Sequence, residues 1–176
     1  MVIHEEIEII NTILYQCYIN FDLKNINKFE QNFTKYINQF NKIKQNLVDR
    51  EYYENIISTF KEMSVCLRND ISMDQLYANC KTTEKIIKDI DSLDITNIYN
   101  LQKKIETLKY LFETEVFVEE YIDYLYDKIG EFEDVLFEIK NNKFYKNHKN
   151  GKNDKNFKNR INYNFTCTNS IKINFP

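Results

Sequence analysis

Apolar side chains recur along most of this chain at alternating intervals of three and four residues, and this spacing constrains the fold more than any other feature. The rhythm lines apolar residues up on one face of an α-helix, whereas a half-buried β-strand needs strict alternation. The first three runs are Ile3, Ile7, Ile10, Leu14, Cys17 and Phe21, then Ile26, Phe29, Phe33, Tyr36 or Ile37, Phe40, Ile43 and Leu47, then Tyr53, Ile56, Ile57, Phe60, Met63 and Leu67. The spacing predicts an all-α protein, an antiparallel helical bundle.

Three further runs follow, and they are less regular. Thr83 interrupts the fourth run, and between Ile95 and Lys140 the one firm helix breaker is Gly130. These runs are Met73, Leu76, Cys80, Thr83, Ile87 and Ile90, then Ile98, Leu101, Ile105, Leu108 and Phe112, then Val118, Ile122, Leu125, Ile129, Phe132, Leu136 and Ile139. Because the last two differ in phase, we expect one long coiled-coil helix over 95–140 that bends near Thr114. The alternative is that Thr114 caps a sixth helix.

Side chains that favour helix ends predict where several helices begin and stop. Asp22 is a suitable N-cap for the second helix, because its carboxylate can accept hydrogen bonds from the first backbone amides. Asn69 and Asp70 predict a turn and cap after the third helix, with Ser72 as an alternative cap for the fourth. The fourth helix is expected to end within residues 92–94.

The 176 residues leave room for one domain with a core, and the composition changes after Lys140. From Lys146 to Lys158 a Lys-Asn pair recurs every three residues, a period that suits neither helix nor strand packing. We predict a helical domain over 1–140 and a disordered, low-complexity basic tail over 141–176. Alternating apolar residues at 161–175 predict a weak β-hairpin, which is marginal by itself in water.

Charge is divided unevenly along the chain. Residues 1–139 hold 15 Lys or Arg against 26 Asp or Glu, and residues 140–176 hold nine against one. Five acids near the end of the acidic part are spaced four residues apart: Glu115, Glu119, Asp123, Asp127 and Glu131. Like charges at this spacing repel by about 0.2–0.5 kcal/mol per pair. We expect a partner's basic face or the chain's own tail to offset the repulsion; the alternative is a solvated acidic face.

A second apolar stripe accompanies these acids. Phe117, Tyr121 and Tyr124 lie on a helix face offset from the run that begins at Val118. A helix that is apolar on two sides needs two neighbours. Tyrosine is enriched in interfaces but also fills cores, so the stripe belongs either to the protein's own bundle or to a contact with a partner chain. The three aromatics and the five acids form the candidate partner-binding site.

The sequence lacks the residues that common catalytic, metal and cofactor sites need. Its two histidines, His4 and His148, are too few and too far apart for ordinary zinc or di-iron spacing. Its two glycines, Gly130 and Gly151, rule out a Gly-rich phosphate loop. We therefore expect no enzymatic activity, no metal and no cofactor.

Cysteine usage and the N-terminus bear on the compartment. Cys17, Cys66, Cys80 and Cys167 are widely spaced and form no CxxC pair, as expected of reduced thiols. No uninterrupted apolar run approaches the roughly 18 residues of a membrane span. Acids follow Met1 where a signal peptide is basic. We expect an intracellular protein, cytoplasmic or nuclear, without a membrane span.

Together these features predict a non-enzymatic coiled-coil subunit, structural or adaptor, of a larger multi-protein assembly. It would act by helix–helix packing with other helical proteins, as part of a hetero-oligomer. One alternative is a self-contained homodimeric coiled coil. Another is nucleic-acid binding through the basic tail, which the scarcity of Arg and the acidic body disfavour. No motif in the sequence picks out a known family.

Overall fold

The computed structural model of the protein describes residues 2–93 and 97–146, with side chains placed over 4–93 and 97–142. Every regular element in these residues is a helix, which confirms the all-α prediction. The six helices are α1 (Val2–Asp22), α2 (Ile26–Ile43), α3 (Arg50–Asn69), α4 (Met73–Asp91), α5 (Ile98–Thr114) and α6 (Glu119–Lys146).

The described chain divides after Leu76 into two compact units. The N-terminal unit contains α1, α2, α3 and the first turn of α4, and the C-terminal unit contains the rest of α4 with α5 and α6. Each unit has its own cluster of buried apolar side chains.

The core of the N-terminal unit is organised around the ring of Phe60 on α3. The rings of Tyr18, Phe29, Phe33 and Tyr36 each present an edge-to-face contact to it, with centroid distances between 5.4 and 5.8 Å. Such pairs contribute about 0.5–1.5 kcal/mol each beyond the burial of their area. The predicted apolar faces of the first three helices therefore meet at one aromatic cluster.

The turn between α1 and α2 corrects one cap prediction. Asp22 still belongs to α1, and Asn25 is the residue that caps α2, its side-chain oxygen accepting from the amide of Lys28. Before it, Lys24 takes a left-handed backbone with φ of 51°. The amides of Lys24 and Asn25 donate to the carbonyls of Phe21 and Asn20, the pattern that usually ends a helix with glycine.

The end of α3 agrees with prediction in part, since Asn69 still belongs to the helix and the turn begins at Asp70. Asp70 follows the helix in a left-handed conformation, and the hydroxyl of Ser72 accepts from the amide of Gln75 at the start of α4. The ammonium of Lys24 lies 3.3 Å from the carboxylate of Asp70, so the two left-handed residues of the unit form an ion pair.

The C-terminal unit buries apolar side chains from α4, α5 and α6 against one another. The buried residues are Cys80, Ile87, Ile90, Leu101, Ile105, Leu108, Phe117, Tyr121, Leu125, Ile129 and Phe132. Thr83, which interrupts the predicted run on α4, is fully buried among them.

The single bent helix expected over 95–140 is wrong, because the chain leaves the helix at Glu115 and re-enters it at Glu119. The amide of Glu115 makes the last bond of α5, to the carbonyl of Leu111, and its backbone is then extended. Thr114 does not cap α6, since its hydroxyl donates back to the carbonyl of Tyr110. The amides of Tyr121 and Ile122 instead donate to the carbonyl of Val118.

Helix α6 also extends further than expected. It runs to Lys146, so the first six residues assigned to the tail are helical. The remainder of the predicted tail, including the hairpin at 161–175, lies outside the described residues. Coiled-coil pairing of α6 with another helix stays a prediction.

We predict that Gly130→Ala stabilises the protein. Gly130 lies inside α6, and a Cβ added there would meet nothing within 4 Å. Alanine restricts the unfolded chain and favours the helix, so the free energy of unfolding should rise by about 0.5–1 kcal/mol. Urea denaturation followed by circular dichroism measures this; a loss of stability would contradict the open space around position 130.

A second backbone prediction concerns Lys24. Replacing it with glycine removes the steric cost of a left-handed backbone and should raise the free energy of unfolding by up to about 1 kcal/mol. The exposed ion pair with Asp70 offsets little of this gain. Lys24→Ala, which keeps the Cβ, is the matched control and should bring no gain in the same denaturation experiment.

Candidate functional site

The position of α6 in the C-terminal unit is defined by one buried phenol. The side chain of Tyr121 is 1% exposed. Its hydroxyl lies 2.7 Å from the hydroxyl oxygen of Thr83 and donates to the carbonyl of Cys80 at 3.2 Å. Thr83 and Cys80 are both on α4, so these bonds hold the start of α6 against that helix.

The buried phenol also decides which face of α6 points inward. Tyr121, Leu125, Ile129 and Phe132 are buried, whereas Ile122 is 38% exposed. The predicted seam is therefore wrong at Ile122, whereas Val118, where the seam begins, packs against the core as predicted. The aromatic stripe and the later part of that seam belong to one continuous inner face.

The three aromatics of the candidate partner-binding site lie on this inner face. Phe117 and Tyr121 are buried, and Tyr124 is half-buried with its ring 5.6 Å from that of Tyr121. Of the two interpretations of this stripe, the structure favours packing within the protein's own bundle. Phe117 and Tyr121 are not part of the chain's exposed surface.

The five predicted carboxylates do not form one ridge. Glu115 lies in the extended break before α6, and its side chain is half-buried. Glu119, Asp123 and Asp127 are exposed on α6. Glu131 is also exposed, but it accepts a 2.7 Å hydrogen bond from the ammonium of Lys128.

Lys128 is the sole base among residues 113–139, and its side chain points into the protein. Its side chain is buried, with the ammonium held by Glu131. Burial raises the pKa of the neighbouring Asp91, and the charge of Lys128 opposes that rise. The outer face of α6 therefore carries many acids without the one cation that the sequence places among them.

Four of those acids form a compact line, which we call the acidic ridge: Asp123, Asp127, Asp134 and Glu138. With about 3.6 residues per turn, their positions fall within a sector of roughly 60° around the helix axis. All four are exposed, and none forms an ion pair with another residue that the structure describes. Glu133, by contrast, is held by Lys109 of α5 at 2.7 Å.

A line of exposed apolar side chains runs beside the acidic ridge. It consists of Ile122, Tyr126 and Phe137, and we call it the outer apolar stripe. Tyr126 is 71% exposed and Phe137 is 66% exposed. The sequence pattern did not reveal it, because Ile122 fitted the inner seam and the other two fitted no seam. An interval of 11 residues, about three turns, is the signal that places Phe137 on the same face as Tyr126.

Two of the buried thiols, those of Cys17 and Cys66, are not activated as nucleophiles. Burial raises the pKa of the Cys17 thiol to about 12 and that of Cys66 to about 11. Both thiols therefore remain protonated at neutral pH, and the thiolate is the reactive form. Within residues 2–93 and 97–146, no group of three His, Cys, Asp or Glu side chains is arranged to hold a metal ion.

Comparisons with known proteins identify no relative. The chain matches no protein-family model, no curated protein and no solved structure. No helix in the part of the chain that the structure describes is long and apolar enough to cross a membrane.

We predict that Tyr121→Phe lowers the free energy of unfolding by about 0.5–1.5 kcal/mol, the usual net contribution of a buried hydrogen bond. The ring remains in place, so the helical circular dichroism of the folded protein should not change. Tyr110→Phe is the matched control because Tyr110 is 64% exposed on α5. Equal effects of the two variants in urea denaturation would contradict the assigned role of the Tyr121 hydroxyl.

Proposed function

We propose that the protein is a non-enzymatic subunit of a larger helical assembly and that the outer face of α6 is its docking surface. The occupant would be a partner helix with a basic exposed face. The observation that carries this proposal is the outer apolar stripe lying beside an acidic ridge that forms no ion pair with any residue that the structure describes.

The exposed apolar side chains support a binding role. Single exposed apolar residues are normal on protein surfaces, but Ile122, Tyr126 and Phe137 share one face of α6, and apolar residues grouped on one face and bordered by polar ones favour an interaction site. Tyr126 and Phe137 supply large rings, and aromatic residues are enriched in interfaces. Gly130 projects no side chain between them and leaves open space above the helix.

The charge of the same face supports the choice of a basic partner. Lysine and arginine can cover an apolar surface with their methylene stems while their charged ends stay in water. A basic helix laid on α6 could therefore cover Tyr126 and Phe137 and bring its cations to Asp127 and Asp134. Opposite charge also speeds encounter and disfavours acidic competitors.

The cysteines fit an intracellular setting for this role. The side chains of Cys17, Cys66 and Cys80 are buried, and none of them forms a disulfide with another described residue. Unpaired cysteines are common in reducing compartments and less so in secreted domains. An intracellular location is accordingly part of the proposal.

Photo-crosslinking tests the docking surface directly. The full chain is expressed in its native cells with p-benzoylphenylalanine in place of Tyr126, and crosslinked peptides are identified by mass spectrometry. We expect crosslinks to a lysine- or arginine-rich helix of another polypeptide. The same probe at Tyr110, an exposed position on α5, is the control and should give few crosslinks.

A variant with Tyr126→Ser and Phe137→Ser provides the complementary measurement, with Tyr99→Ser and Tyr110→Ser as its matched control on α5. All four side chains are exposed, so the free energy of unfolding of each variant should differ from that of the wild type by no more than about 0.5 kcal/mol per substitution. Because Tyr126 is replaced in this variant, the crosslinking probe is placed at Ile122 instead. Only the α6 variant should fail to crosslink to the partner. Equal capture by both variants, or crosslinks without a basic helix, would refute the proposal.

A further inference from the structure

Helix α2 carries a basic face that matches the acidic ridge of α6. Lys28, Lys35 and Lys42 follow one another at intervals of seven residues, which places them on one side of the helix. All three are exposed, and we call them the lysine stripe. The side chains between them on this side, Gln31 and Asn38, are exposed and uncharged.

The lysine stripe has no partner among the described residues. None of its three ammonium groups lies within ion-pair distance of a carboxylate that the structure describes. The acid of the same helix, Glu30, is held by Arg68 at 2.7 Å and by Ser64 at 3.1 Å. The stripe therefore presents positive charge to solvent on a protein whose body is acidic.

The two charged faces agree in length as well as in sign. Lys28 and Lys42 are 14 residues apart, about 21 Å at 1.5 Å per residue, and Asp123 and Glu138 are 15 residues apart, about 22 Å. Each face lies within one uninterrupted helix. The two helices can therefore be laid along each other so that the outer lysines lie near the ends of the acidic ridge and Lys35 lies between Asp127 and Asp134.

We infer that the lysine stripe of one copy docks on the acidic ridge of α6 in a second copy, so that the chain associates with itself. The inference rests on the proposed function of α6 and names its occupant. Lysine stems from α2 would cover the outer apolar stripe, and their ammonium groups would reach Asp123, Asp127 and Asp134. The contact joins two different faces, so it builds a closed ring if the rotation between copies closes and a filament otherwise.

Another cluster of lysines serves as the internal comparison. Lys81, Lys85 and Lys88 on α4 are also exposed, but the first and last are only seven residues apart, about 10 Å, which is less than half the length of the acidic ridge. Glu84 lies between Lys81 and Lys85, and Asp89 follows Lys88 directly. Replacing these three lysines with glutamate changes the net charge of the protein by the same amount as replacing the three lysines of the lysine stripe with glutamate.

The test measures the mass of the full chain in solution by sedimentation velocity. Ion pairs at a surface are screened by salt, so association should be visible at about 50 mM salt and weaken at about 500 mM. We expect the wild type to exceed its monomer mass of 21.4 kDa at low salt. A wild type that stays monomeric at about 200 µM and low salt would overturn the inference.

Charge reversal then identifies the faces. One variant carries Lys28→Glu, Lys35→Glu and Lys42→Glu, and the other carries Asp123→Lys, Asp127→Lys and Asp134→Lys. Each alone should weaken association at least about tenfold, and the control with Lys81→Glu, Lys85→Glu and Lys88→Glu should not. Circular dichroism checks that every variant keeps its helical content.

Mixing the two variants gives the decisive measurement. In the mixture the glutamates on α2 of one variant face the lysines on α6 of the other, and the unchanged faces of the two variants also carry opposite charges. An equimolar mixture should therefore associate as the wild type does. A mixture that stays monomeric, or variants that associate unchanged, would overturn the α2–α6 contact. If this mixing test fails but the probe at position 126 still crosslinks to a basic helix of a different polypeptide, the proposed function stands. If the probe at position 126 gives no crosslink to a basic helix, both the proposed function and the α2–α6 contact are refuted.

Discussion

The hydrogen bonds of the buried Tyr121 hydroxyl decide how α6 is oriented, and the rest of the C-terminal unit depends on that orientation. A phenol removed from water needs a polar partner, and Thr83 and the carbonyl of Cys80 supply it on α4. Because these bonds place Tyr121 inside, Leu125 and Phe132 follow it inside one and three turns later. The face that remains outside contains the acidic ridge and the outer apolar stripe.

Apolar spacing was sufficient to predict the helices of the N-terminal unit. The runs through Phe29, Tyr36 and Phe60 correspond to buried positions, because each helix has one apolar face and that face meets a single aromatic cluster. The break after Thr114 could not be predicted in the same way. Residues 115–118 include neither glycine nor proline, and the break is accommodated by a tertiary contact, the side-chain amide of Asn79 donating to the carbonyl of Val116.

The candidate site was predicted in its chemistry but not in its members. Counting charges revealed an acidic segment, yet only the fold shows that Lys128 is buried and that Glu115 lies outside the helix. Thr83 looked like a flaw in an apolar run, and it is instead the polar partner that a buried tyrosine requires. Single-helix periodicity contains no information about such pairs, since their members come from different helices.

The uneven spacing of the outer apolar stripe affects the direction in which a partner helix would dock. The acidic ridge has intervals of four, seven and four residues, and the lysine stripe has intervals of seven and seven, so both patterns are the same in either direction. Charge alone thus leaves parallel and antiparallel docking equivalent. Ile122, Tyr126 and Phe137, with intervals of four and eleven, have no such symmetry. On this surface the charges would attract the partner helix, and the apolar side chains would determine whether it docks parallel or antiparallel to α6.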